Sequence, residues 1–232
     1  MGLKLDLETS IAKIFRESWE ERDGTVVPDD TSVTLGNDGV KLKATVLYAD
    51  LSGSTDLVDT YKKVFSAEIY KAYLSCAGRI IRSEGGTITA YDGDRIMAVF
   101  IGPRKNNSAV KAALKINFAV QQIIMPAKRK QYPDNAYSLK QVIGIDTSEL
   151  LVAKTGVRGA NDLVWVGRAA NHAAKLTALP DTHSTYITPD VYSVLNEDLK
   201  VSGEAAMWEA IKWDTFNDTI IYRSTYWYRV PD

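Results

Sequence analysis

Cysteine and histidine are nearly missing from this chain: among 232 residues there is one cysteine, Cys76, and two histidines, His172 and His183. A single thiol excludes a disulfide framework and makes the cytoplasm the expected compartment. Two histidines are too few for a histidine-rich zinc site. An excess of one charge is missing as well. The 28 Lys and Arg against 29 Asp and Glu leave a net charge of −1, which advertises neither nucleic acid nor an anionic membrane as partner. The one basic run, Lys128-Arg129-Lys130, follows Pro126 and reads as a solvated helix end. No apolar run approaches a membrane span, and the start from Met1 to Asp6 lacks the basic-then-apolar pattern of a secretory signal. Apolar residues are plentiful at 45%, enough to fill the core of one good-sized domain with appendages.

Periodicity organises the chain into three parts: a front helix and linker over 1–40, a main domain over 41–200, and an aromatic-rich tail over 201–232 that completes it. Leu7, Ile11, Ile14, Phe15 and Trp19 share one face of a helix predicted over Leu3 to Arg22. The main domain opens with a strand from Lys43 to Asp50, then a helix from about Asp56 to Ser83. Strands Thr87–Tyr91 and Arg95–Ile101 flank Asp92-Gly93-Asp94 as a hairpin. A second helix spans roughly Asn107 to Met125. Strands follow at Leu139–Asp146, Leu150–Lys154 and Leu163–Val166, then a helix over about Arg168–Ala178. Short elements at Tyr186–Thr188 and Pro189–Leu195 precede a closing strand pair around Ile220 to Val230. Strand, helix, strand, strand, helix, strand is the ferredoxin-like split βαβ arrangement, of the α+β class.

Two segments carry chemistry. In Ala49-Asp50-Leu51-Ser52-Gly53-Ser54-Thr55 an acidic residue ends an apolar strand, and small residues follow that let backbone N–H groups approach a ligand closely. A carboxylate beside an anion-binding turn calls for a cation between them, and magnesium fits that demand. The same segment read alone equally suits a helix cap at Asp50 with Ser52 and Ser54 bonding the turn. In Tyr91-Asp92-Gly93-Asp94-Arg95 the split βαβ order carries Asp94 to a hairpin tip beside the end of the first strand, near Asp50. Read alone, that tip is a plain turn.

Together the segments resemble the class III adenylate and guanylate cyclases. The likeness runs through Val46–Thr55, Glu84-Gly85-Gly86, Gly93-Asp94, Met97–Phe100, Ile143-Gly144-Ile145, Leu150–Gly156 and Val166–Leu176, in order, over roughly Lys43 to Leu195. The resemblance implies that Asp50 and Asp94 bind two divalent ions, Mg²⁺ or Mn²⁺, with the Leu51 carbonyl completing one coordination sphere. It implies that Ser52, Gly53, Ser54 and Thr55 cradle the β- and γ-phosphates of a nucleoside triphosphate, and that Asn171 orients the ribose. It also implies a head-to-tail homodimer with shared sites, so that Asn171 and Lys175 of one chain serve Asp50 and Asp94 of the other.

Two departures from the family pattern bear on activity and substrate. Lys175 stands where the family usually has an arginine facing the transition-state phosphate; it keeps the charge and loses the planar fork. The positions that usually read a purine are Ala90 and Val164, and neither side chain can hydrogen-bond a base edge. Tyr91, Asp92 and Trp165 lie beside them, which suits a pocket rebuilt for a smaller base. The likeness then narrows to the bacterial pyrimidine cyclases of the Pycsar anti-phage systems, with UTP favoured over CTP and the cyclic nucleotide activating a separate effector. Three alternatives stand: a purine cyclase that reads its base through the backbone, a catalytically inactive cyclase-homology module, and a diguanylate cyclase, whose Gly-Gly-acidic-acidic-Phe hairpin is absent here.

Overall fold

The computed structural model describes residues 2–231 and builds two compact units, one from the chain up to Lys43 with Glu149–Gly167, the other from Ala44–Ser148 with Arg168 onward. In chain order the elements are α1 (Leu3–Arg16), β1 (Glu20–Asp23), β2 (Asp38–Leu51), α2 (Ser54–Thr60), α3 (Lys63–Ser83), β3 (Thr87–Asp92), β4 (Arg95–Phe100) and α4 (Lys105–Ala119). A π-helical turn, Val120–Ile124, leads to α5 (Met125–Gln131), followed by β5 (Gln141–Val157), β6 (Ala160–Val166), α6 (Arg168–Leu176), β7 (Thr185–Ile187) and α7 (Pro189–Ser193). Short β8 (Val201–Ser202) and β9 (Ala205–Ala206) precede β10 (Glu209–Trp213) and β11 (Thr219–Ser224). Among the described residues no helix is long and apolar enough to cross a membrane.

In the first unit β1 pairs in parallel with the start of β2, and the end of β5 pairs antiparallel with β6 from Leu151↔Val166 to Val157↔Ala160. The front helix is shorter than predicted, ending at Arg16. The Asn37 amide donates to the Ile14 and Glu17 carbonyls at 2.8 and 2.7 Å, which seals the helix end, and Glu20–Asp23 becomes a strand. No residue of α1 is buried.

In the second unit the strands lie in the order β10-β11-β7-β5-β2-β4-β3. The stretch β5-β2-β4-β3 is the predicted split βαβ core: β2 sits between β5 and β4, with Thr45 opposite Phe100 and Ala49 opposite Ile96. Helices α3 and α4 cover one face, where Leu47, Ala49, Tyr73, Ile81, Ala98, Phe100, Leu114, Ile143 and Ile145 share one buried cluster. Alternation along β2 and β4 sends Tyr48, Asp50, Arg95 and Met97 to the opposite face. On that face, over β5, lies α6, with Val142, Leu176, Tyr186, Trp213 and Ile221 as its core.

Four local expectations are corrected. The single helix expected over 56–83 is two, because Tyr61 (φ −112°, ψ 163°) and Lys62 (φ −61°, ψ 139°) are extended between α2 and α3. The two strands expected over 139–154 are one long β5. Lys128 is not a solvated helix end: it is buried, its ammonium donates to the Asn135 carbonyl, and burial lowers its pKa. Pro126 sits in the first turn of α5, directly after the π-helical turn. The closing pair of strands is present as β10 with β11, but the chain leaves the sheet after Ser224. The Thr225 and Tyr226 carbonyls instead accept from the buried Asn117 amide at 2.9 Å each.

Gly144 is where α6 meets the sheet. A Cβ there would stand 2.1 Å from the Ala173 carbonyl oxygen and 2.7 Å from the Leu176 Cβ, so only hydrogen fits. Gly144→Ala is expected to lift α6 from β5 and cost ~3 kcal/mol of stability by overpacking. Denaturant unfolding reads this directly, and a loss below ~0.5 kcal/mol would contradict the close approach.

Candidate active site

The hairpin joining β3 to β4 has a two-residue loop. Asp92 pairs with Arg95, so the loop is Gly93 and Asp94 alone, and Asp92, expected in the loop, ends β3. Gly93 has φ +60°, a left-handed value that glycine tolerates and that matches the right-handed strand twist. This places Asp94 at the tip. Asp50 lies one residue beyond the Ala49↔Ile96 pair, so it reaches Arg95: the Arg95 guanidinium donates to Asp50 Oδ2 at 2.8 Å. That hydrogen bond, followed by the charges of Asp50 and Asp92, raises the Arg95 pKa against the opposing effect of burial. Asp50 is 20% exposed and Arg95 38%, so the pair is partly shielded from solvent.

Asp94 is placed differently. Its Oδ2 is buried and has no hydrogen-bond partner among the described residues. A buried carboxylate oxygen left without a donor costs free energy unless a donor or cation meets it. Beneath the carboxylates lies Tyr73 of α3, fully buried, its hydroxyl also without a hydrogen-bond partner among the described residues. Burial, then the nearby charges of Asp50 and Asp94, pushes its pKa well above the usual tyrosine value. Among the described residues no group of three or more His, Cys, Asp or Glu side chains is gathered for a metal. A magnesium ion needs only one or two carboxylates besides substrate oxygens and water, and the Asp50–Asp94 pair with its unpartnered oxygen meets that need.

After β2 the chain turns at Ser52 and Gly53. Gly53 has φ +67°, and a Cβ there would meet nothing within 4 Å, so the turn is strained for other residues and open above. Ser52 is held inside the chain: its N–H donates to the Lys140 carbonyl at 2.9 Å and its hydroxyl to Asp181 Oδ2 at 2.8 Å. Lys140 pairs with the same carboxylate at 3.1 Å, and these donors hold the Asp181 pKa below the usual range. Ser54 and Thr55 open α2, and Leu51 is buried at the end of β2.

Asn171 and Lys175 lie four residues apart on α6 and are both exposed, so they share one outward face. Among the described residues neither makes a hydrogen bond or ion pair with Asp50 or Asp94. The predicted site residues therefore fall into two groups, Asp50, Asp94 and the 51–55 turn in one, Asn171 and Lys175 in the other. Tyr91 faces away from both, toward α3: a Cβ on Gly78 would be 2.8 Å from its hydroxyl. Trp165 lies on β6 in the first unit, opposite Val152. Ala90 pairs with Met97 next to a bulge in β3, and Val164 pairs with Ala153.

Residues missed in the sequence surround these positions. Tyr48 is half-buried and shares the face of Asp50; burial raises its pKa, with Arg95 opposing and Asp92 adding to the rise. Strand alternation back from Asp50 was the signal that could have found it. Arg168, a second cation on α6, is committed elsewhere. It pairs with the fully buried Asp146 at 3.2 Å, donates to the Thr147 carbonyl at 2.7 Å and pairs with Asp190. His172 Nδ1 lies 3.2 Å from the same Asp146 oxygen, close enough to share charge although no N–H is aligned on it. Burial is the main cause that lowers the His172 pKa, with Asp146 opposing it and Arg168 and Lys175 reinforcing it. No sequence spacing announced that network, because its members meet only when α6 lies down on β5.

No protein-family model matches the chain. A uridylate cyclase of Xanthomonas perforans is 57% identical over 231 residues, covering 99% of this chain and all of the relative. A uridylate cyclase of Burkholderia cepacia is 53% identical over 216 residues, covering 92% of this chain and 93% of the relative. Among solved structures, the guanylyl cyclase Cya2 superposes with a TM-score of 0.66 at 18% identity, covering 80% of this chain and 92% of the other, a likeness of fold. With the fold of the class III cyclases and more than half of its residues identical to those relatives over nearly its whole length, this chain belongs to the uridylate cyclase family and is a nucleotidyl cyclase.

Proposed function

We propose that the protein converts UTP to 3′,5′-cyclic UMP and pyrophosphate, at sites that two copies of the chain complete for each other. The observation that carries the substrate is the 57% and 53% identity, over 99% and 92% of this chain, with relatives named uridylate cyclase. Ala90 and Val164 support it, since neither offers a hydrogen bond to a purine edge. The two groups of site residues support the dimer: among the described residues, Asn171 and Lys175 face outward from α6 and make no hydrogen bond or ion pair with Asp50 or Asp94 of their own chain.

The resemblance to the class III cyclases supports the following roles. Two Mg²⁺ or Mn²⁺ ions, held by Asp50, Asp94 and the Leu51 carbonyl, would supply charge neutralisation for the triphosphate and a more acidic ribose 3′-hydroxyl. The open turn at Gly53, with Ser54 and Thr55 behind it, binds phosphate oxygens through backbone N–H groups. Ser52 anchors that turn through Lys140 and Asp181. Arg95 neutralises Asp50 in the resting chain. Asn171 of the second copy holds the ribose, and its Lys175 meets the charge that builds on the α-phosphate as pyrophosphate leaves. Positioning and charge stabilisation of this kind supply most of the rate in phosphoryl transfer. As part of the same proposal, cyclic UMP acts as a second messenger in anti-phage defence and activates a separate effector. An effector gene with a cyclic-nucleotide-binding module beside this one supports that role; its absence argues against it.

Offered each of the four labelled triphosphates with Mn²⁺, the purified protein is expected to make cyclic UMP as dominant product. Cyclic AMP in that place would overturn the pyrimidine reading. Asp50→Ala and Asp94→Ala are each expected to lower turnover by at least ~10²-fold; either one keeping more than about a tenth of the wild-type rate contradicts the metal role. Mixing Asp50→Ala with Asn171→Ala chains should recover roughly a quarter of wild-type activity, since half the dimers are mixed and each holds one intact site. No recovery above the separate variants would show that each chain works alone.

A further inference from the structure

Lys175 carries the charge of an arginine without its geometry. A guanidinium fork is planar and directs itself, whereas an ammonium on a four-carbon stem does not. Among the described residues Lys175 has no ion pair to hold it, and Arg168, the other cation on α6, is spent on Asp146, Asp190 and the Thr147 carbonyl. What does lie against Lys175 is an aromatic ring: its Nζ stands 5.3 Å from the centroid of Phe216.

That ring is held on several sides. It meets the His172 ring edge-on at a centroid distance of 4.3 Å and stacks on Trp213 at 4.9 Å with the planes 24° apart. His172 also meets Trp213 edge-on at 5.5 Å, and Trp213 is only 3% exposed. The backbone is tied as well. The Phe216 N–H donates to the Trp213 carbonyl at 2.9 Å, and its own carbonyl accepts from the Thr219 N–H and hydroxyl at 3.2 and 2.8 Å. The next two residues, Asn217 and Asp218, have φ of +54° and +53°, so the turn between β10 and β11 adopts a costly conformation just beyond this ring. His172 in turn lies beside the buried Asp146, its Nδ1 3.2 Å from the carboxylate.

We propose that Phe216 is the positioning residue for Lys175: its ring face, fixed by His172, Trp213 and the β10–β11 turn, directs the ammonium and replaces the self-directing fork of an arginine. This rests on the reading of Lys175 as the cation that meets the α-phosphate. A cation over an aromatic face is attracted by the ring quadrupole, and the contact fixes a side chain that would otherwise sample many rotamers.

The test is steady-state kinetics on the full-length protein with UTP and Mn²⁺, with melting temperatures to check folding. Phe216→Leu is expected to lower kcat roughly tenfold, equivalent to ~1.4 kcal/mol, with KM within about twofold of wild type. Phe216→Tyr, which keeps the ring, should retain kcat to within about threefold. In a Lys175→Ala background Phe216→Leu should have no further effect, because the ring acts only through the lysine. Where leucine lowers the melting temperature, Phe216→Met takes its place. A resting-state readout stands beside these: the Lys175 ε-methylene resonance should be ring-shifted upfield in wild type and return to its ordinary position in Phe216→Leu. An unchanged kcat in Phe216→Leu while Lys175→Ala is crippled overturns the proposal and leaves the cation reading intact. Equal losses from Phe216→Leu with and without Lys175 make the ring merely structural, and also overturn it. Lys175→Ala at the wild-type rate removes the cation reading itself, and the proposal with it.

Discussion

Antiparallel pairing of β2 with β4 is the constraint on which the candidate site depends. With Ala49 opposite Ile96, the apolar side chains Leu47, Ala49, Ile96 and Ala98 all enter the core under α3 and α4. The same register turns Tyr48, Asp50 and Arg95 to the opposite face and brings Asp50 beside the hairpin that carries Asp94. A slip of one residue would bury Asp50 among the helices and expose Ala49, so the hydrophobic core and the placement of the carboxylates are enforced by one pattern.

Charge is handled differently around the aspartates and on α6. Around Asp50 it is balanced locally by Arg95, while Asp94 keeps a buried oxygen without a donor among the described residues. On α6 the buried Asp146 gathers Arg168 and His172, which leaves Lys175 as the cation on the outward face. The network therefore supports α6 at its first turn and takes Arg168 out of contention for the chemistry. Gly144 supports the same helix from below by allowing its backbone to touch the sheet. The helix that carries Asn171 and Lys175 is held by packing and by a buried carboxylate, and the two aspartates are placed by strand register.

Much of this was legible in the residues. The order of strands and helices in the split βαβ core followed from alternation and from the 3.6-residue stripes, which are local. The boundaries that went wrong have physical causes outside that pattern. A 56–83 helix breaks because Tyr61 and Lys62 are extended, and β5 runs unbroken through 147–149 because its neighbours pair with it on both sides of that stretch. Lys128 looked solvated because a basic run after a proline usually is; its acceptor, the Asn135 carbonyl, is supplied by a turn that no periodicity announces.

By itself the sequence determined that Asp50 ends an apolar strand, that Asp94 sits in a glycine hairpin, and that Asn171 and Lys175 share a helix face, because each is a matter of neighbours and period. It also determined that Ala90 and Val164 lack groups to read a base, because that is a matter of side-chain chemistry. Only the tertiary structure decided that Asp50 faces Arg95, that Tyr91 turns toward α3, that Arg168 is spent on Asp146, and that Phe216 lies against Lys175. Those pairings join residues far apart in the chain, and they arise from register and from helix-on-sheet packing, which single-residue preferences do not encode.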